Sequence, residues 1–270
     1  MSHTTDLSIN LATIRAQCDL RAACEACARH GIAWVAPWRD QLAATGLAEA
    51  ARILAGNGLK ATGLCRGGMF TTAPDALDDN RRAIDEAAAI GATHLVLVVG
   101  GLPAGSRDLA AARRRVADGL AALLPYARAA GMPLAIEPLH PMYAPDRACV
   151  NTLAQALDLC DALGDGVGVV LDTYHLWWDP ELWPQIARAG RDGRILAHHI
   201  SDFLVPTRDL LNDRGMMGDG AIDIPLIRGW VEDQGFAGYS EVEIFSAAHW
   251  WQRDMGEVLD TCIQRHGSAV

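Results

Sequence analysis

The sequence is almost without lysine: Lys60 is the only one in 270 residues, and arginine supplies the other 22 positive charges. Lys60 stands in "GNGLKATG", the pattern of a helix-to-strand turn, which argues against a buried Schiff-base lysine. Basic residues are also outnumbered, 23 against 33 acidic ones, for a formal charge of −10. Phosphate backbones are bound mainly by lysine and arginine, so this balance argues against nucleic acid as a partner. No apolar run reaches membrane-spanning length, and "MSHTTDLSINLATI" has no basic region followed by a long apolar segment. A soluble, cytoplasmic chain without membrane contact is expected. The seven cysteines are odd in number and show no disulfide framework, which suits a reducing compartment. Cys24 and Cys27 form one CxxC inside the helical "DLRAACEACARHG"; with no second pair, two ordinary helix cysteines are expected rather than a zinc or redox site. No Pro/Ser-rich linker, charge block or low-complexity tract divides the chain.

Half of the residues are apolar, enough to bury a large core. They recur as a short apolar strand, a polar or Gly-rich turn, and an Ala/Leu/Arg-rich helix. The strand candidates are 8–13, 33–38, 61–66, 93–99, 133–139, 167–172, 195–201 and 240–245. Several follow a helix that stops on glycine, and Asn151 is placed to cap the helix in "VNTLAQALDLCDALG". Eight alternations predict a (β/α)8 TIM barrel spanning 1–270 as one domain. A doubly wound sheet is the runner-up, but no GxGxxG follows the first strand.

In such a barrel the chemistry sits at the carboxyl ends of the strands. The last four strands end alike: Glu137 in "LAIEPLH", Asp172 in "VVLDTYH", His199 in "AHHISD" and Glu243 in "EVEIF". A single acid at a strand end is usually a cap or an ion-pair partner. Three carboxylates and an imidazole converging from neighbouring strands would repel one another without a cation between them. A mostly oxygen set with one nitrogen suits Mn²⁺, Mg²⁺ or Co²⁺ better than a thiolate-type zinc site; Mn²⁺ is the ion expected, with Mg²⁺, Co²⁺ or Zn²⁺ as alternatives. Of the adjacent His198 and His199, the pleat sends one inward, and His199 is the choice. Glu241 shares the inward parity of Glu243 one layer deeper, where a small or apolar residue is the expectation, and an ion pair with Arg66 is the hypothesis that would account for it.

These residues resemble the xylose-isomerase-like barrel superfamily, which includes ketose 3-epimerases, hydroxypyruvate isomerase, inosose dehydratase and endonuclease IV. The resemblance rests on "IEPLHP", "LDTYH", "HHISD", "RGMMGDGAID" and "VEIF", with "CRGG" as a further shared turn. It implies that Glu137, Asp172, His199 and Glu243 hold a metal and that Glu137 and Glu243 also form the acid/base pair. It further implies that His175 contacts substrate oxygens, as does an arginine four residues before a G-x-G, which is Arg214. The stretch between His199 and Arg214 is longer than in the epimerases, which makes Arg208 a rival.

A metal that chelates adjacent carbonyl and hydroxyl oxygens acidifies the intervening C–H and stabilises the enediolate, and two glutamates can then remove and return the proton. The expected activity is therefore a metal-dependent sugar isomerase or epimerase acting on a small sugar or sugar derivative. The alternatives are a lyase or dehydratase acting on a keto-sugar or keto-inositol and an endonuclease IV-like phosphodiesterase, the latter disfavoured by the acidic balance. Trp177 and Trp251, each near a metal-site carboxylate in sequence, are candidate stacking faces for a sugar, and Arg66 is a further candidate substrate contact. Arg66-Gly67-Gly68 and Gly100-Gly101 offer amide cradles for phosphate, which tight turns explain equally well. Family resemblance and the Trp-rich ends suggest a homodimer or homotetramer.

Overall fold

A computed structural model describes residues 6–270; Met1–Thr5, at the head of the stretch inspected for a leader, lie outside the described residues. In chain order the strands are β1 (Leu7–Asn10), β2 (Trp34–Ala36), β3 (Lys60–Ala61), β4 (Leu64–Gly68), β5 (Leu95–Val98), β6 (Leu134–Ile136), β7 (Val167–Asp172), β8 (Ile195–Ile200), β9 (Asp202–Phe203), β10 (Arg214–Gly215) and β11 (Ser240–Val242). Nine of them form one parallel sheet in the order β3-β2-β1-β11-β8-β7-β6-β5-β4. Its two ends, β3 and β4, are consecutive in the chain and separated only by Thr62 and Gly63. The sheet therefore closes on itself as a TIM barrel, and the open doubly wound alternative falls.

The strand expected over 61–66 is two short pieces. Its break has a steric cause: a Cβ on Gly63 would lie 2.6 Å from the His94 imidazole, so the chain crosses that ring where only glycine fits. A bridge between Trp38 and Cys65 spans the seam. One helix of ten or more residues follows each barrel position, from Leu20–Arg29 to Met255–His266. Thr152, rather than Asn151, caps Leu153–Leu163 by accepting from Gln155 N. The Asn151 amide instead donates to the carbonyls of Leu139 (3.0 Å) and Ala148 (2.9 Å), tying down the loop after β6. Cys24 and Cys27 are buried in the core, where burial pushes both thiols up. Among the described residues no helix is long and apolar enough to cross a membrane.

Strand parity divides the core in two. Leu95, Leu97, Leu134, Ile136, Val169 and Leu171 pack outward against the helices. Their alternates Val96, Ala135, Val170 and Ala197 form a small apolar cluster with Cys65 inside the barrel. The inward series of β6, β7 and β8 thus runs from Ala135 to Glu137, Val170 to Asp172 and Ala197 to His199, apolar below and ionisable at the top.

Gly68 shows how closely the barrel is closed. At φ 109° its Cβ would lie 2.0 Å from the Val98 carbonyl oxygen, and Asn80 holds its N–H and C=O at 2.6 and 2.7 Å. Gly68→Ala should therefore destabilise the protein by about 2–4 kcal/mol in urea unfolding, from backbone strain plus displacement of β5. Wild-type stability in that variant would show that β4 and β5 can part at this point without cost.

Candidate metal centre

Register brings the ionisable residues together. Asp172 pairs with His199 across β7 and β8, and His199 pairs with Glu241 across β8 and β11. Glu137 and Glu243 follow directly after β6 and β11. Glu137, Asp172, His199 and Glu243 each offer one ligand atom, all within 4.8 Å of one another, and all four residues are buried. Small divalent cations separate opposite ligands by about 4.2 Å, so slight contraction closes the set. Three carboxylate oxygens and one imidazole nitrogen are a donor set that suits a divalent cation, and these residues can hold one.

The charge balance points the same way. With Glu241, four carboxylates are buried here against one guanidinium, that of Arg214, and the imidazoles of His199 and His175, the second of which burial and Arg214 hold neutral. Burial, opposed by Arg214, raises Asp172 to about 6 and Glu243 to about 7. Burial alone would lower His199, but Glu241, the hydrogen bond to Glu137 and the Glu243 charge outweigh it and raise the imidazole to about 10. His199 Nδ1 lies 3.1 Å from Glu137 Oε1, and its Nε2 lies 3.3 Å from Glu241 Oε1. One nitrogen thus faces the carboxylate cluster and the other a supporting carboxylate, as in metal sites where a second carboxylate fixes the ring.

Glu241 does not pair with Arg66. It accepts hydrogen bonds from Asn10 Nδ2 (2.8 Å) and Thr62 Oγ1 (2.6 Å) and so props His199 from below. Asn10 also donates to Glu243 (3.1 Å) and accepts from Trp38 Nε1 (2.6 Å), linking the carboxylates to the cavity wall. Asn10, Thr62 and Trp38 are the residues of this network whose part the sequence conceals, because β1 meets β11, and the turn after β3 comes within reach of Glu241, only when the barrel closes.

Arg214 is brought in by a strap. β10 pairs antiparallel with β9, and Arg214 N donates to Phe245 O at 2.9 Å. Its guanidinium reaches Asp172 Oδ2 (3.2 Å) and Glu243 Oε2 (2.9 Å) and stands over the Tyr174 ring at 4.4 Å. His175 lies 3.1 Å from it, held well below its usual pKa by burial and by the Arg214 charge. Arg208 is turned outward and pairs with Asp213, so of the two rivals it is Arg214 that reaches the site. Asp202 anchors the next turn by accepting from the N–H groups of Gly218, Gly220 and Ile222. Gly220 is required there, since a Cβ would stand 2.3 Å from Phe203 O.

A cavity of about 200 Å³ opens above this cluster. Glu137, Glu243, His175, Arg214 and Arg66 line it, together with Arg15, Trp38, Tyr143, Arg147 and Phe245. Asp172 and His199 lie beneath its floor. Trp177 is not brought to it; that ring packs on Phe203 at 5.3 Å and lines a separate groove with Trp183 and Trp230. Trp251 stands behind the wall, its indole donating to Ala12 O at 2.9 Å and its ring 5.9 Å from Phe245. Neither tryptophan offers a face to the cavity; Trp38 and Tyr143 do.

Residues 24–262 match the sequence profile of the xylose isomerase-like TIM barrel family. This chain belongs to that family. Protein SMc04130 from Sinorhizobium meliloti 1021 is 63% identical, with 98% of each chain covered and a TM-score of 0.96. The family fold recurs in the IOLI protein crystallised with a zinc atom, at 21% identity, 97% of this chain and 96% of that one, and a TM-score of 0.80. It recurs also in D-allulose 3-epimerase from Methylomonas sp. in complex with D-allulose, at 18% identity, 98% and 97% coverage, and a TM-score of 0.78. At these two identities the likeness is one of fold. No curated protein matches the sequence.

In the metal-free protein, NMR titration of His199 should give a midpoint near pH 10. A pKa raised above the ordinary 6.5 stabilises fully below 6.5 and loses that contribution as pH rises through 10, so metal-free stability should fall over this window. Glu241→Gln should bring the midpoint down by about 1–3 units. An unmoved midpoint would remove Glu241 from the set that holds the ring.

Proposed function

We propose that this protein is a divalent-metal-dependent sugar isomerase or epimerase, with Glu137 and Glu243 as its acid/base pair. The observation that carries the reading is which members of the cluster reach the cavity: Glu137 and Glu243 line it, while Asp172 and His199 do not. A set built only to hold an ion has no need to present two of its carboxylates to a ligand. β6 and β11 are separated round the barrel by β7 and β8, so the two carboxylates approach the cavity from different directions. Opposed carboxylates of this kind can take a proton from one face of a carbon and return it to the other face, or to the neighbouring carbon.

Glu137, Asp172, His199 and Glu243 would hold the ion, with Mn²⁺ the best fit to three oxygens and one nitrogen. A divalent cation bound there would acidify a C–H beside a carbonyl and stabilise the negative charge that develops. His175 and Arg214, both on the cavity wall, would donate to substrate oxygens. The epimerase among the structural neighbours supports the reaction class, and the zinc in the IOLI structure supports a bound metal. Phe245 and Trp38, in edge contact at 5.6 Å, would exclude water from one side of the bound sugar.

The deciding measurement is deuterium incorporation from D₂O into a panel of sugars and keto-sugars, followed by NMR on Mn²⁺-loaded protein. Exchange should vanish on chelation and fall by about 10²–10⁴-fold in Glu243→Gln and Glu137→Gln. Asp172→Asn should weaken Mn²⁺ binding by at least about tenfold in calorimetry. The products separate epimer, isomer and dehydrated sugar. Exchange that survives chelation would overturn the proposal.

A further inference from the structure

Two arginines on the cavity wall lack a partner. Arg66 closes the inner part of β4, and Arg147 stands in the loop after β6. Neither guanidinium makes a hydrogen bond or an ion pair among the described residues; that of Arg147 stands over the Tyr143 ring at 5.7 Å and is felt by Asp209 only through its charge. Every other buried or half-buried arginine is bonded to a carboxylate or a main-chain carbonyl. Arg39, for example, takes Asp79 and Glu86, and Arg188 takes Asp158 and Asp161. In a chain with 33 acidic residues against 23 basic ones, the lack is not for want of carboxylates.

Their placement is built into the backbone. Arg66 precedes Gly67 and Gly68, which pair with Leu97 and Val98 of β5. Arg147 is fixed against the extension of the same strand: Gly100 N donates to Arg147 O and Cys149 N to Gly100 O, both at 2.9 Å. Gly101 permits this approach, since a Cβ there would lie 2.6 Å from Asp146 N. The two guanidiniums repel each other: burial and then Arg147 depress Arg66, more than Glu137 and Asp40 support it. Two mutually repelling cations held on one cavity wall lack an anion between them.

We propose that Arg66 and Arg147 form an anion subsite, so that the substrate is a sugar derivative carrying a phosphate or carboxylate group beside the carbon framework presented to Glu137 and Glu243. The assignment rests on the enolising function proposed above and narrows its substrate to acidic sugars. Paired guanidiniums bind either anion through charge-assisted, often bidentate hydrogen bonds. The glycines of the two turns are spent on close packing with β5 and with the 144–147 loop, so the arginine side chains, not an amide cradle, supply the donors.

The test is anion binding by metal-free protein, in which no ion competes for the ligand. Inorganic phosphate and glycolate, titrated separately by calorimetry, serve as probes of the two anions. At least one should bind wild type, and Arg66→Gln and Arg147→Gln should each weaken it by at least about tenfold. Arg66→Lys should restore part of the loss, which a folding defect would not allow. Preference for phosphate or for glycolate tells which acid the substrate carries. If neither probe binds wild type more tightly than the Arg66→Gln/Arg147→Gln double variant, with both folded by circular dichroism, the subsite is overturned. Metal-dependent exchange with neutral sugars but no anion binding sinks this inference alone. Anion binding without any exchange sinks the enolising function and leaves the subsite.

Discussion

Everything at the carboxyl end of this barrel answers to one electrostatic constraint: four carboxylates are buried together, and of the two imidazoles among them only that of His199 is held in its charged form. Desolvation makes each unpaired charge expensive, and like charges this close cannot all ionise without a counter-ion. Arg214 supplies one positive charge from outside the sheet, through a two-strand strap that exists to bring it in. His199 supplies another as long as it is protonated. A divalent cation would relieve the excess that remains at the cost of the His199 proton, so that binding a metal here would release a proton.

The same constraint explains the polar interior beneath. Ser8, Asn10 and Thr62 are buried residues that do not line the cavity, yet they form a hydrogen-bonded column with Glu241 under His199. Small apolar side chains fill the facing part of the barrel, from Cys65 round to Ala197. The barrel is therefore asymmetric inside. Its polar half supports the ionised cluster, and its apolar half keeps the dielectric low enough for those charges to matter.

Strand periodicity made much of this legible. Alternation along 133–139, 167–172 and 195–201 places Glu137, Asp172 and His199 on one face, and shared parity carries Glu243 with Glu241. What alternation cannot supply is the partner across the strand. Asn10 and Thr62 reach Glu241 because β1 and β3 lie near β11 after closure, a relation between residues more than 170 positions apart. Trp177 and Trp251 follow carboxylates in sequence but turn away in space, since a helical turn after β7 and a 3₁₀ turn after β11 rotate them off the cavity. Arg147 gave no signal at all; its position depends on a main-chain bridge to Gly100.

The strap that carries Arg214 is fastened at both ends, by β9 on one side and by Phe245 and Ser246 on the other. Between those fastenings, residues 204–211 form an excursion, with Tyr143 and Tyr174 both donating to Leu210 O. Insertions and deletions in the excursion need not move the arginine. The rim of the cavity and the guanidinium beneath it therefore belong to separate stretches of chain, one out at the surface and the other clamped to the barrel.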